Sequence, residues 1–313
     1  MTCHLSEPTW EAEAVAYTVQ QLLNALAFGA EYALLALGLA IVFSLMRLVN
    51  FAHGEIITVG AYAMYALVLL GISNPLVVVM VTLAATMLCA IAFERVAFRP
   101  VRYAPTATGL LTAFGVSIVV QNAFLLFVSA RPRAVPLLGE LNTTLSVGGL
   151  TIQVLQVLEL VISLAAMLAL LLFFKRSTTG LAMRAASREF NAVRLMGIRA
   201  NRVIASAFAI SGLLAGIACT FIVARRGSIE PDMGFLPVLK AFVACVIGGF
   251  GSLPGAVVGG LILGFLEVAI LVLLPQKFGG LTDAVVFSIV GILLVLRPQG
   301  LMGRTVELGD KES

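Results

Sequence analysis

The segment KRSTTGLAMRAASREFNAVRLMGIRANR (175–202) contains seven of the twenty Lys and Arg residues in this 313-residue chain. Strongly apolar segments lie on both sides of it. Lys and Arg accumulate in the loops that membrane proteins keep on the cytoplasmic side of the bilayer. We therefore predict that 175–202 is a cytoplasmic loop, which sets the direction in which the neighbouring segments cross.

The composition is that of a protein embedded in lipid. Apolar residues make up 60% of the chain and charged residues 12%, and the mean hydropathy is +1.07, whereas a soluble domain has roughly 25% charged residues. Uncharged stretches near the length of a bilayer span recur at 56–93, 103–130, 203–224 and 241–266. We predict an all-α polytopic membrane protein. No basic segment is interleaved with aromatic residues, so we predict no nucleic-acid partner.

Residues that could carry catalytic or metal chemistry are sparse. The cysteines Cys3, Cys89, Cys219 and Cys245 lack the spacing of a metal site or a disulfide framework. The motifs GxxxxGK[ST], HExxH and GxSxG do not occur. We therefore predict no metal, no cofactor of the chain's own and no enzymatic activity.

Charge and turn residues predict about eight transmembrane segments, including a helix pair broken by glycines. No Lys or Arg precedes Arg47, so we expect the N-terminus outside and no cleavable secretory signal. The predicted spans are 19–46, 54–70, 76–93, 106–128, 155–174, 203–224, a pair of half-depth or bent helices (235–247 and 256–274), and 282–296. The predicted division is an external tail (1–18), one transmembrane domain (19–304) with an external loop (129–154, irregular with short strands) and the cytoplasmic loop (175–202), and a cytoplasmic tail (305–313).

The cytoplasmic loop predicts a short amphipathic helix. Thr178 or Thr179 is expected to cap its N-terminus, and Gly197 suits a left-handed stop at its C-terminus. The residues expected on one apolar stripe are Leu181, Ala185, Ala192, Leu195 and Met196, with Arg184, Arg188 and Arg194 off it. Such a helix either docks in the groove of a partner or lies on the bilayer with its arginines on lipid phosphates. The residues alone leave both open.

The motif NFAHGE (50–55) places Asn50, His53 and Glu55 at the beginning of an apolar helix. Ionisable groups at membrane depth usually face a cavity or one another. Residues two apart on a helix do not share a face. Structural hydrogen bonding or the lining of a pathway is therefore favoured over joint catalysis by His53 and Glu55.

The motif GGFGSLPG (248–255) predicts a break between two helices. Ser252 and Pro254 suit the N-cap and first turn of the second helix. Because a helix N-terminus inside a membrane favours a carboxylate or other polar group, Gly249, Gly251 and Ser252 are candidate substrate-path residues. The alternative is close packing of helices through Gly251/Gly255/Gly259 and Gly260/Gly264, which are spaced by four.

Four stretches of the chain resemble the permease subunits of branched-chain amino acid ABC importers, most closely the shorter, LivH-type subunit. They are GAEYALLALGLAIVFSLMRLVNFAHGE (29–55), GLAMRAASREFNAVRLMGIRAN (180–201), SIEPDMGFLPVLKAFVACVIGGFGSLPGAVVGGLILG (228–264) and ILLVLRPQGLMG (292–303). The resemblance implies a type II ABC importer permease fold in the bacterial cytoplasmic (inner) membrane, with a periplasmic N-terminus and a cytoplasmic C-terminus. It also implies a second permease subunit, two ATPase subunits that bind ATP and Mg, and a periplasmic substrate-binding protein.

The resemblance further implies roles for particular residues. The predicted loop helix would be the coupling helix that docks on an ATPase through Gly180, Arg184, Ala185, Ala192, Gly197 and Ile198. Candidate lining of the path at the interface of two permeases is Asn50, His53, Glu55, Gly249, Gly251 and Ser252. Candidate external contacts for the binding protein are Arg131, Arg133, Arg225, Arg226, Glu230 and Asp232.

The expected function is that of a permease subunit for branched-chain or other amino acids, driven by separate ATPase subunits. Related permeases of this fold carry urea, amides or sugars, which remain alternatives. An intramembrane enzyme that uses His53 and Glu55, or an ion-coupled carrier, is the alternative from another class.

Overall fold

The structure, a computed structural model, describes residues 9–102, 104–137, 143–147, 150–189, 193, 195–297 and 299–302. In chain order its helices are α1 (Thr9–Met46), α2 (His53–Leu69), α3 (Pro75–Phe93), α4 (Thr106–Phe127), α5 (Val154–Arg176), α6 (Thr178–Arg188), α7 (Ala200–Arg226), α8 (Phe235–Gly248), α9 (Leu253–Leu273) and α10 (Thr282–Leu296). A π-helical turn, Glu94–Phe98, extends α3, and a 3₁₀ turn, Gln276–Leu281, precedes α10.

Four short strands form two antiparallel pairs. They are β1 (Arg133–Ala134), β2 (Thr144–Val147), β3 (Leu150–Gln153) and β4 (Ser228–Ile229). In the first pair, β1 lies beside β4 with Arg133 opposite Ile229. In the second, β2 lies beside β3 with Thr144 opposite Gln153. The prediction of short strands in the external segment 129–154 is confirmed.

Seven helical segments in the described part of the chain are long and apolar enough to cross a membrane. They are Ala14–Met46, Pro75–Phe98, Thr106–Phe127, Val154–Arg176, Ala200–Arg226, Leu253–Leu273 and Lys277–Leu296. Two further apolar helices, α2 and α8, have 17 and 14 residues. The predicted all-helical polytopic fold is confirmed. The half-depth prediction is wrong for α9, whose 21 residues suffice to span a bilayer.

Helices α1 and α7 form the centre of the bundle. In the most apolar stretch of each helix, 83% of the residues of α1 and 78% of those of α7 are buried. The corresponding share is 11% for α4, which lies at the periphery. In a bilayer, helices associate through close van der Waals packing because lipid is as apolar as their side chains. The peripheral helices therefore keep faces that are available to lipid or to partner subunits.

Glycines on α9 allow the closest helix contacts. Gly255 and Gly259 lie against the backbone of α8, whereas Gly260 and Gly264 lie against the backbone of α1 near Gly29. A Cβ atom at any of these four positions of α9 would overlap main-chain atoms of the neighbouring helix. The prediction that 255–264 is a packing surface is confirmed, and it holds α1, α8 and α9 together.

Candidate functional site

His53, the first residue of α2, is fully buried between α1 and α7. Its Nδ1 atom lies 3.2 Å from Oγ of Ser211 on α7. Its ring packs on Gly38 of α1, where an added Cβ would lie 3.0 Å from both Cε1 and Nε2. Within the described residues, Nε2 has no hydrogen-bond partner.

Glu55 turns away from His53 toward α4. Its Oε1 atom accepts hydrogen bonds from Oγ of Ser117 (2.7 Å) and Nε2 of Gln121 (2.8 Å). Its Oε2 atom is buried, and the described part of the chain offers it no donor. His53 and Glu55 therefore bond to different helices, which agrees with the expectation that they do not share a face.

Asn50 completes this polar cluster. It is 2% exposed, and neither atom of its amide has a partner among the residues that the structure describes. The level of the cluster follows from Ser117 and Ser211, which both lie eleven residues into their helices. At 1.5 Å per residue this is about 16 Å, near the middle of a hydrocarbon core about 30 Å thick.

The Gly-rich turn between α8 and α9 lies elsewhere. Oγ of Ser252 accepts a hydrogen bond from the amide of Gly255 (3.1 Å) and caps α9, and a proline follows in the first turn, as predicted. The turn borders a cavity of about 450 Å³ that it shares with the last turns of α1 and with Arg184 and Arg188 of α6. It therefore lies at the end of the bundle where α5 ends, α6 lies and α7 begins, here called the α6 end.

The predicted Gly-rich break between two helices is confirmed, whereas its expected position at membrane depth is wrong. Because α9 is long enough to cross, the turn at its beginning lies at one end of the bundle and not near its middle. Gly249, Gly251 and Ser252 are consequently not brought together with the polar cluster at the beginning of α2. Whether they line a substrate path stays a prediction.

The C-terminal end of α8 is closed by the chain that follows α10. The amide of Leu301 donates to the carbonyl of Ile247 (2.8 Å), and the amide of Met302 donates to the carbonyl of Gly248 (3.0 Å). The last carbonyls of a helix lack intrahelical donors. These two bonds supply donors and fix the Gly-rich turn to the end of α10.

Ser177, not Thr178 or Thr179, caps α6. Its Oγ accepts a hydrogen bond from the amide of Gly180 (2.8 Å), and its extended backbone is typical of an N-cap. The helix ends at Arg188, since Glu189 has an extended conformation (φ −143°, ψ 94°). The predicted stripe through residues 181–196 is thus interrupted.

The two faces of α6 differ. Gly180, Met183 and Ala186 are buried against the rest of the chain, and a Cβ at Gly180 would lie 2.8 Å from Cα of Phe174 on α5. The other face exposes Leu181, Arg184, Ala185 and Arg188. One side of the helix is fixed to α5, and the other is open.

The predicted left-handed conformation of Gly197 is confirmed, but this glycine does not end α6, which already ends at Arg188. Gly197 has φ +77°, and the amide of Ile198 donates to the carbonyl of Val193 (3.3 Å), the bond of a Schellman helix stop. Leu195 and Met196 are 89% and 81% exposed, so apolar side chains continue the open surface beside α6. Ala192 lies outside the described residues.

Arg225, one of the candidate contacts for the binding protein, is ion-paired within the chain. It pairs with Glu31 of α1, lies 3.2 Å from Oε2 of Glu159 on α5, and stacks over the ring of Phe28. Of the other candidate contacts for the binding protein, Arg131, Arg226, Glu230 and Asp232 are exposed, whereas Arg133 is half-buried.

A second ion-paired cluster was not predicted. Nζ of Lys240 on α8 lies 2.8 Å from Oε1 of Glu267 on α9 and 3.0 Å from Oδ1 of Asp283 on α10. Tyr32 of α1 donates to Glu267 at 2.7 Å. Lone charges inside apolar segments, such as Lys240 and Glu267, are the signal that could have revealed it.

The chain was compared with known proteins. Residues 21–296 match the family described as "Branched-chain amino acid transport system / permease component". The chain is 36% identical over 297 residues to the high-affinity branched-chain amino acid transport system permease protein BraD of Pseudomonas aeruginosa, covering 91% of this chain and 96% of that protein. It is 35% identical over 306 residues to the corresponding permease protein LivH of Escherichia coli, covering 94% and 98%. A shorter match, 37% over 98 residues, covers 29% of this chain and 25% of the xylose transport system permease protein XylH of Escherichia coli.

Proposed function

We propose, from the premise that this chain belongs to the family of permease components of branched-chain amino acid transport systems, that it carries branched-chain or other amino acids into a bacterial cell. The chain is a multi-pass membrane protein, and its family works with a partner permease and with ATPase subunits. The observation that supports the cargo most is the identity of 35–36% to BraD and LivH along nearly the whole chain.

A sugar is the second candidate cargo. The match to XylH supports it, but that match spans 98 residues and about a quarter of XylH. The matches to BraD and LivH extend over about three times as many residues. Amino acids are therefore the favoured cargo over sugars, urea or amides.

Movement is driven through α6 in this proposal. Its open face, with Leu181, Arg184, Ala185 and Arg188, suits docking in a groove of an ATPase subunit. Its other face packs so closely on α5 at Gly180 that a push on the helix reaches the membrane spans. Gly197 and Ile198, at the helix stop beside it, would complete this coupling surface, together with Ala192.

The orientation follows from this role. The α6 end would face the cytoplasm, with the C-terminal tail, and the N-terminus would face the periplasm, in the inner membrane. The exposed charges at the other end, Arg131, Arg226, Glu230 and Asp232, would meet a periplasmic binding protein in a contact that weakens with ionic strength. A single permease domain would extend from about residue 19 to 304.

The path would lie between this chain and a second permease. Asn50, His53 and Glu55 would line it at membrane depth, because unpaired polar atoms there are costly unless a cavity or a ligand serves them. Gly249, Gly251 and Ser252 would line its cytoplasmic end. No reaction is assigned to His53 and Glu55, whose side chains bond to different helices.

Uptake into proteoliposomes tests the cargo. The purified complex is reconstituted with its binding protein and ATP and offered leucine, isoleucine, valine, alanine, urea and xylose. We expect ATP-dependent uptake of the branched-chain amino acids. Uptake of only xylose or urea, or uptake driven by an ion gradient without ATP, would contradict the proposal. A complex with an inactive ATPase is the control.

Charge reversal tests the coupling role of α6. Arg184→Glu should abolish ATP-driven uptake and release the ATPase during purification, while the chain stays inserted. Arg226→Glu, an equal change of charge at the other end of the bundle, should leave ATPase binding intact. Normal uptake by the Arg184 variant would remove the coupling role.

A further inference from the structure

Five phenylalanine rings from three distant parts of the chain form a continuous row. The ring centroids are 4.8 Å apart for Phe43 and Phe250, 5.4 Å for Phe250 and Phe242, 5.5 Å for Phe242 and Phe51, and 4.8 Å for Phe51 and Phe114. These separations are typical of interacting aromatic pairs. We call these five residues the phenylalanine row.

The row extends from the α6 end to the middle of the bundle. Phe43 lies in the last turn of α1, and Phe250 lies in the Gly-rich turn. At the other end, Phe51 lies in the segment just before α2, and Phe114 is eight residues into α4, about 12 Å from its beginning. Four ring-to-ring steps thus cover much of one half of the membrane.

The row is not part of the closed core. Phe114 and Phe250 are 39% and 40% exposed, and the other three rings of the row are half-buried. Aromatic side chains have few rotatable bonds, so an aromatic surface offers a large apolar contact at a small cost in conformational entropy. The isolated chain therefore leaves a nearly continuous aromatic surface available.

The polar cluster borders this surface at membrane depth. Phe51 lies between Asn50 and His53 in the chain, and Phe114 is one turn from Ser117, which bonds to Glu55. The amide of Asn50 is buried, at 2% exposed, and its two polar atoms lack partners among the described residues, which is costly at membrane depth. A cargo with charged groups at one end and an apolar side chain at the other matches both surfaces.

We propose that the phenylalanine row lines the half of the translocation path at the α6 end and binds the side chain of an apolar amino acid. The permease itself, and not only its binding protein, then selects the cargo. This inference rests on the function proposed above. A row of partly exposed rings gives several weak contacts in place of one tight pocket, which lets a cargo both enter and leave.

The row also meets the coupling surface. Phe250 lines the 450 Å³ cavity together with Arg184 and Arg188 of α6. A shift of α6 toward or away from this cavity changes the space around Phe250, one of the two rings of the row at the α6 end. The ring is therefore placed to open or close the path at the α6 end when the ATPase moves the helix.

Competition between leucine and alanine tests the inference. Phe114→Ala and Phe242→Ala complexes are reconstituted with the unaltered binding protein, so any change in preference arises in the permease. We expect the leucine-to-alanine ratio of uptake to fall about tenfold, the lower end of what one methylene contributes in an apolar site. Phe242→Leu keeps the site apolar. On a logarithmic scale, its leucine-to-alanine ratio should fall by less than half as much as the ratio of Phe242→Ala.

The matched control is Phe265→Ala on α9, because Phe265 is as exposed as Phe114, at 39%. We expect it to leave the ratio unchanged. Ratios unchanged in the row variants as well would overturn the inference. It would also be overturned if uptake of both solutes fell equally with loss of the second permease, because the row would then be a subunit contact. Absence of ATP-driven uptake by the unaltered complex would instead refute the proposed function.

Discussion

Charged residues on α7, α8 and α9 form ion pairs that link several helices, whereas the polar cluster at the beginning of α2 has no ion pair in the described part of the chain. Arg225 bridges α1, α5 and α7, and Lys240 bridges α8, α9 and α10. Asn50, His53 and Glu55 are 2%, 0% and 1% exposed, and are thus more deeply buried than the side chains of Arg225 (31%) and Lys240 (12%). The ion pairs link helices to one another, whereas Asn50, His53 and Glu55 each keep a buried polar atom that no described residue bonds, as Glu159 does at Oε1.

The largest expected effect comes from breaking the paired region at Arg225. Arg225→Ala leaves Glu31 and Glu159 buried without their cation, which costs about 3 kcal/mol of stability. Thermal unfolding of the purified complex in detergent measures it. Arg226→Ala, at the exposed neighbouring residue, should change stability by less than about 0.5 kcal/mol. Equal losses in the two variants would mean that the cluster is not structural.

A second test crowds the unpaired region. In Gly38→Ala the new methyl group would press on the ring of His53, and overpacking of this kind costs about 2 kcal/mol. The same unfolding measurement applies. Gly291→Ala on α10, where a Cβ meets nothing within 4 Å, should be neutral or slightly stabilising. A Gly38 variant as stable as this control would indicate that the site has free space.

Glu55→Gln separates the two regions by function. The amide keeps the shape of the carboxyl group and can still accept from Ser117, so we expect a stability change below about 1 kcal/mol. We expect uptake to fall about tenfold, because the variant would lose an interaction between Glu55 and the cargo. An interaction of about 1.4 kcal/mol corresponds to that tenfold change. Glu159→Gln should instead lose stability and uptake together. Equal losses of stability and of uptake in Glu55→Gln and Glu159→Gln would contradict this difference between the two regions.

The smallest effect is expected at the edge of the Lys240 cluster. The side chain of Asp283 is 42% exposed, so Asp283→Asn should cost about 0.5 kcal/mol. Glu267 is 10% exposed and bonds to Lys240 and Tyr32, so Glu267→Gln should cost more, about 1.5 kcal/mol. Thermal unfolding of both variants measures the difference. The reverse order would place the centre of the cluster at Asp283.

Local chemistry was enough to predict the features that depend on a few adjacent residues. The helix stop at Gly197 and the cap at Ser252 need only the conformational freedom of glycine and a side-chain oxygen next to free amides. The cap of α6 was missed by one residue, because Ser177, Thr178 and Thr179 are chemically equivalent candidates. Backbone geometry, which the sequence does not display, selects Ser177.

Depth and long-range contacts could not be predicted in the same way. Glycine spacing indicated that α9 packs closely, but not that its first turn lies at the α6 end. The basic pair Arg225 and Arg226 looked uniform in sequence, although one is paired with carboxylates and the other is exposed. The phenylalanine row joins residues up to about 200 positions apart, which requires the folded chain.

The two main-chain bonds from Leu301 and Met302 to the end of α8 turn α8, α9 and α10 into a closed ring of covalent and hydrogen-bonded links. A movement of the last span away from α8 therefore has to break both hydrogen bonds or carry α8 and α9 with it. Because the two hydrogen bonds use only backbone atoms, most substitutions of Leu301 or Met302 would leave them in place. A proline at 301 or 302 lacks the donating backbone N–H and would therefore remove one of the two hydrogen bonds.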